Sequence, residues 1–109
     1  MAYASDNGYV FDNRPLFRGG VKKETLAGAK VLNESSESFL IYDNQSGGSV
    51  IVSLAPEKDG SYQWIKCHAD SGHQLEIRND AGGTITYLTV GQSGLFVCAD
   101  SDWHLMIKA

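Results

Sequence analysis

The feature that most constrains this chain is its punctuation. Gly47-Gly48, Asp59-Gly60, Ser71-Gly72, Gly82-Gly83 and Ser93-Gly94 fall about a dozen residues apart, each between two apolar runs. Glycine reaches positive φ without steric cost, so each pair reads as a tight turn of the hairpin kind. The runs between such turns are too short for helices and ordinary for strands. Within them apolar and polar positions alternate with period two. Val50, Val52 and Leu54 alternate with Ile51 and Ser53, Ile65 and Cys67 with Trp64 and Lys66, and Leu75 and Ile77 with Glu76 and Arg78. Tyr87 and Ile85 face away from Leu88 and Thr86, and Leu105 and Ile107 close the C-terminus in the same way. The pattern predicts strands over 29–33, 38–43, 49–54, 62–68, 74–79, 84–90, 94–99 and 103–108. Only Val21–Lys30 has helical character, and Gly28 weakens it. The fold class is all-β, a small β-sandwich or jelly-roll-like domain over residues 21–109.

Composition narrows the function classes. At 109 residues and 42% apolar content the chain can bury one modest core, with no cofactor or metal needed to build it. A net charge of −4 argues against nucleic acid as a partner, because phosphate contacts need a basic surplus. No apolar run approaches the roughly 18 residues of a membrane span. Met1-Ala2-Tyr3-Ala4-Ser5-Asp6 has neither the basic nor the apolar region of a signal peptide, so the expectation is cytoplasmic synthesis and a soluble product. Two cysteines are too few for a disulfide scaffold. Cys67 and Cys98 read first as buried thiols acting as small hydrophobes, with a late-formed disulfide or metal ligation as the alternatives.

Residues 1–20 differ from the rest. Tyr9, Val10, Phe11, Leu16 and Phe17 are large and apolar, but Asp12-Asn13-Arg14-Pro15 interrupts them and Gly19-Gly20 ends the run. Pro15 biases Arg14 toward an extended conformation. Residues 1–33 carry a net +2 and residues 34–109 a net −6. A basic, aromatic, extended arm on an acidic body is expected to dock on a partner or a neighbouring copy through Tyr9, Phe11, Arg14, Leu16, Phe17 and Arg18. The competing expectation is that it packs on its own sandwich.

Chemistry finds little to hold. Cys67 or Cys98 with His68, His73 or His104 could make a nucleophile and base, but adjacent strand residues such as Cys67 and His68 point to opposite faces. The same side chains have no recurrent zinc spacing, so no metal is expected. Asp100 and Asp102 flank Ser101 in what reads as a turn, not a carboxylate pair across a cleft. Gly91-Gln92-Ser93-Gly94 lacks the Lys and helix of a phosphate loop. Trp64, Trp103, Tyr62 and Tyr87 could form a sugar-stacking platform, although large rings more often seal the ends of a sandwich.

From Gly48 onward the order of features resembles a small β-sandwich module of tailed-bacteriophage virion proteins, found in capsid decoration (cement) proteins and tail-fibre domains. A strand runs into a Pro corner, Ile51-Val52-Ser53-Leu54-Ala55-Pro56, and Gly60 follows. The aromatic strand Tyr62–Ile65, the pair Leu75 and Ile77, the glycine turn into Thr84-Ile85-Thr86 and the step Gly91-Gln92-Ser93 come next. The strand from Phe96 then ends in the acidic turn Asp100-Ser101-Asp102 capped by Trp103. The resemblance implies a structural, non-enzymatic virion protein. It would be a homotrimer on the outer surface of the major capsid protein, assembled in the host cytoplasm, without cofactor, nucleic acid or membrane. A chain starting at its own Met is expected to be a separate decoration protein and not a piece of a fibre. The alternatives are a tail or fibre accessory protein binding a host glycan through Trp64 or Trp103, and a small Cys/His hydrolase.

Overall fold

The computed structural model describes residues 20–109. Among these residues there are nine strands and no helix: β1 (Val21–Leu26), β2 (Lys30–Val31), β3 (Phe39–Asn44), β4 (Val50–Ser53), β5 (Tyr62–Cys67), β6 (Leu75–Arg78), β7 (Thr84–Leu88), β8 (Ser93–Ala99) and β9 (Asp102–Lys108). They form two sheets, one of five strands in the order β1-β3-β5-β8-β9 and one of four in the order β2-β4-β6-β7. The core between them takes Leu40, Tyr42, Ile65, Cys67, Phe96, Cys98 and Trp103 from the first sheet. Val50, Val52, Leu75, Ile77 and Leu88 come from the second. The period-two faces of β4, β5 and β6 are those expected from the sequence. An all-β, two-sheet sandwich is what the alternation implied.

The connections are not consecutive hairpins. The first six strands alternate between the sheets, and β1, β3 and β5 pair in parallel in one while β2, β4 and β6 do so in the other. Parallel neighbours need a crossover, and here each crossover is a strand of the opposite sheet. The chain therefore winds through a flattened coil before β7, β8 and β9 turn back antiparallel. Gly47, Gly60 and Gly72 lie at corners between sheets. Of the five glycine pairs, only Gly82-Gly83 closes a hairpin, between β6 and β7, with Gly82 at φ +96°. Ser93-Gly94 is not a turn but the start of β8; the corner before it uses Gly91, at φ +89°. A glycine of positive φ reverses or redirects the chain equally well, so local sequence does not separate the two uses.

Three further expectations are corrected. Val21–Lys30 begins with a strand, not a helix. β1 is an edge strand, and its Lys22 and Glu24 stand opposite the inward-facing Leu40 and Tyr42. Inward charges blunt a sheet edge, and they also erase the apolar alternation that would reveal the strand. Glu24 is held by Lys30 at 3.1 Å across the corner to β2. The strand expected over 29–33 shrinks to the two residues of β2. In β9, Leu105 pairs with Phe96 and Ile107 with Leu95, so Met106 is an extra, bulged residue. The bulge moves Ile107 to the outer face, away from Leu105.

Trp103 seals one end of the sandwich: it is 5% exposed and its Nε1 donates to the Ala55 carbonyl at 2.9 Å. Asn44 ties the corners together. Its Nδ2 donates to the carbonyls of Gly48 (2.9 Å) and Gln74 (2.8 Å), its Oδ1 accepts from Ser46, and its backbone N–H donates to Ser71 Oγ.

Candidate interaction face

The outer face of the five-stranded sheet carries the most distinctive surface of the described residues. Strand register places Val21 beside Phe39, Phe39 beside Trp64, Trp64 beside Leu95 and Leu95 beside Ile107. In-register neighbours share a face. One unbroken row of large apolar side chains therefore crosses all five strands on the side away from the core. Val21 and Ile107, at its two ends, are 59% and 51% exposed, and the three between them are half-buried. Phe39 and Trp64 stack with ring centroids 6.2 Å apart and planes 13° from parallel, a favourable offset geometry. Their rings form the floor of a shallow groove of about 180 Å³ that extends to Val21, Ile41, Lys66 and Ser93.

The rim beside this row is cationic. The adjacent row runs Lys23, Ile41, Lys66, Ser93, with no acidic residue on it. On the other side Tyr62, Val97 and His104 line up. An apolar centre with two lysines alongside suits a surface that presents apolar side chains among acidic ones. Scattered exposed apolar residues are ordinary on a protein surface; a continuous row five strands wide is not.

The residues read from the sequence as candidates for chemistry are dispersed. Cys67 and Cys98 are free, buried thiols of the core, as the alternation implied. The Cys67 thiol contacts the His73 carbonyl and not its ring. Burial pushes the Cys98 thiol above its usual range, and the Asp59 carboxylate adds to the shift, both disfavouring a thiolate. His104 follows Trp103 on the outward face, with Nε2 3.1 Å from the Ala99 carbonyl, so it does not meet Cys98. Among the described residues no group of three or more His, Cys, Asp or Glu side chains converges as for a metal ion. Asp100 and Ser101 form the β8–β9 turn, and the Asp59 carboxylate accepts from the Ser101 N–H at 2.9 Å. Of the aromatic platform, Trp103 is buried and only Trp64 lies on the apolar row. Tyr87 is on the other sheet.

Tyr9, Phe11, Arg14, Leu16, Phe17 and Arg18, the expected docking residues, lie outside the described residues. Sequence reasoning put Trp64 on the outer face but missed the row. The available signal was that both parities of β3 and β8 are apolar, as in Phe39-Leu40-Ile41-Tyr42 and Leu95-Phe96-Val97-Cys98. No protein-family model, no curated protein and no solved structure matches this chain.

Proposed function

We propose that the chain is a structural virion protein, a decoration (cement) protein that binds the exterior of a tailed-phage capsid as a homotrimer and stabilises the head. The observation that supports this reading most is the apolar row with its lysine rim: a broad, shallow contact surface on a rigid sheet suits adhesion to another protein better than turnover of a small substrate. The order of sequence features shared with phage virion modules points the same way, and so does the aromatic arm of residues 1–20. On this reading the partner is the major capsid protein, met through the extended arm and the lysine rim of the sheet face. Closed cyclic assembly of a short chain would place three copies around a local three-fold axis. The test is co-sedimentation of the purified chain with capsids lacking it. Saturable binding at a copy number divisible by three supports the proposal, and no binding at micromolar concentration overturns it.

A second reading has one observation in its favour. Trp64, stacked on Phe39 and half-buried on the outer face, is the kind of ring on which a sugar can lie. A tail or fibre accessory protein would then bind a host glycan there. Saturable glycan binding lost in Trp64→Ala, with no binding to capsids, would favour it over the first.

A further inference from the structure

We propose that the apolar row is the seat of this chain's own N-terminal segment. Leu16 and Phe17 would lie over Val21 and Phe39, and Tyr9 and Phe11 over Leu95 and Ile107. The inference goes beyond the virion reading and holds for the free protein. Its first support is continuity. The segment joins the described residues at Gly20, and the next residue, Val21, is itself the first member of the row. Gly20 has φ +75°, in the left-handed region where a chain can change direction sharply, and Gly19 precedes it.

The lengths match. The row crosses four inter-strand steps of about 4.8 Å, close to 19 Å in all. Phe17 lies six positions after Phe11, and an extended chain covers about 20 Å over that interval. Two apolar clusters spaced as the two ends of the row are spaced can therefore meet both ends at once. The four virtual bonds from Phe17 to Val21 reach about 14 Å, enough to rise the ~10 Å at which a second layer packs on a sheet. Charge agrees at one point: Asp12, next to Phe11, would pass the rim nearest Lys66. Tethering completes the argument, since an attached segment acts at an effective concentration in the millimolar range. With its apolar side chains seated, the segment leaves Arg14 and Arg18 as the groups that face an outside partner.

The experiment uses the full chain free in solution, so it does not depend on capsid binding. Phe11→Cys is combined with Ile107→Cys and oxidised, and Phe11→Cys with Tyr87→Cys, on the other sheet, serves as the control. The native thiols are buried in both. Expected is an intrachain disulfide at monomer mass in the first pair and none in the second. Separately, Phe11→Ser with Phe17→Ser should raise acrylamide quenching of tryptophan about twofold through Trp64, with the far-ultraviolet strand signal unchanged. Disulfide-linked dimers would show that a second copy supplies the segment and overturn the proposal. Absence of any preferred disulfide, with parental quenching in the Ser variant, would mean that the row is covered by another partner or by none, and would overturn it as well.

Discussion

Asn44 shows how much one polar side chain can carry in this fold. It is fully buried at a corner, and it donates to the Gly48 and Gln74 carbonyls while accepting from the backbone and hydroxyl of Ser46. Asn44→Ala would remove one of two donors from each of the half-buried Gly48 and Gln74 carbonyls, which keep Ser46 Oγ and the Val50 N–H. It would also take from Ser46 the acceptor of two bonds. Each such bond is worth about 0.5–1.5 kcal/mol net. We expect about 3 kcal/mol of destabilisation, read as a drop in the denaturant midpoint with an unchanged slope. Tyr42 behaves in the opposite way. Its hydroxyl is buried with no hydrogen-bond partner among the described residues, and burial, with the Glu24 and Glu37 carboxylates nearby, pushes its pKa far above the ordinary tyrosine value of 10.0. The folded state thus favours the protonated phenol. Its contribution is fully present below pH 10 and declines as pH rises above the unfolded value. Tyr42→Phe should therefore leave stability at pH 7 within about 1 kcal/mol of the parent. It should also flatten the loss seen in melts between pH 10 and 12.

At the scale of elements, the turns and bulges set what each strand presents. The β8–β9 hairpin has two loop residues, Asp100 and Ser101, at φ 54° and 58°. Both are left-handed, as a type I′ turn requires, and neither is glycine. Replacing the pair by Asn-Gly should stabilise the protein by about 1 kcal/mol, seen as a rise of roughly 4–8 °C in Tm. Gly94 has the reverse constraint. It lies inside β8, where a Cβ would come within 3.0 Å of the Phe96 ring and 3.3 Å of Leu88. Gly94→Val is expected to cost about 1–3 kcal/mol by overpacking, measured by thermal or denaturant unfolding. The Met106 bulge matters for a different reason: without it Ile107 would return to the core side and Met106 would stand opposite Leu95 at the end of the row.

For the whole molecule, the separation of a positive N-terminal third from a negative remainder bears on attachment. If the seated segment presents Arg14 and Arg18 outward, their attraction to an acidic capsid surface should weaken as salt rises. Arg14→Glu with Arg18→Glu is expected to lower capsid occupancy about tenfold at low ionic strength, and the remaining binding should lose most of its salt dependence. Co-sedimentation across a salt series measures both. Unchanged occupancy would mean that the two arginines do not take part in attachment.

Local alternation alone was enough to read which residues of β4, β5 and β6 face the core, that both cysteines are buried, and that Asp100 and Ser101 turn the chain. Each of these depends on neighbours one or two residues away, and a strand's two faces are set by its own period. The tertiary structure decided which strands are neighbours. Gly47 and Gly60 look like Gly82 in sequence, but the first two lead to the opposite sheet and the third to a hairpin, because pairing is settled by contacts far apart in the chain. β1 was invisible for a related reason: its inward Lys22 and Glu24 make sense only at a sheet edge. The apolar row depends on both. Val21, Phe39, Trp64, Leu95 and Ile107 are separated by up to 31 residues from one to the next, and nothing local aligns them. Four registers and one bulge, fixed by the packing of the core on the other side of the sheet, bring them into line.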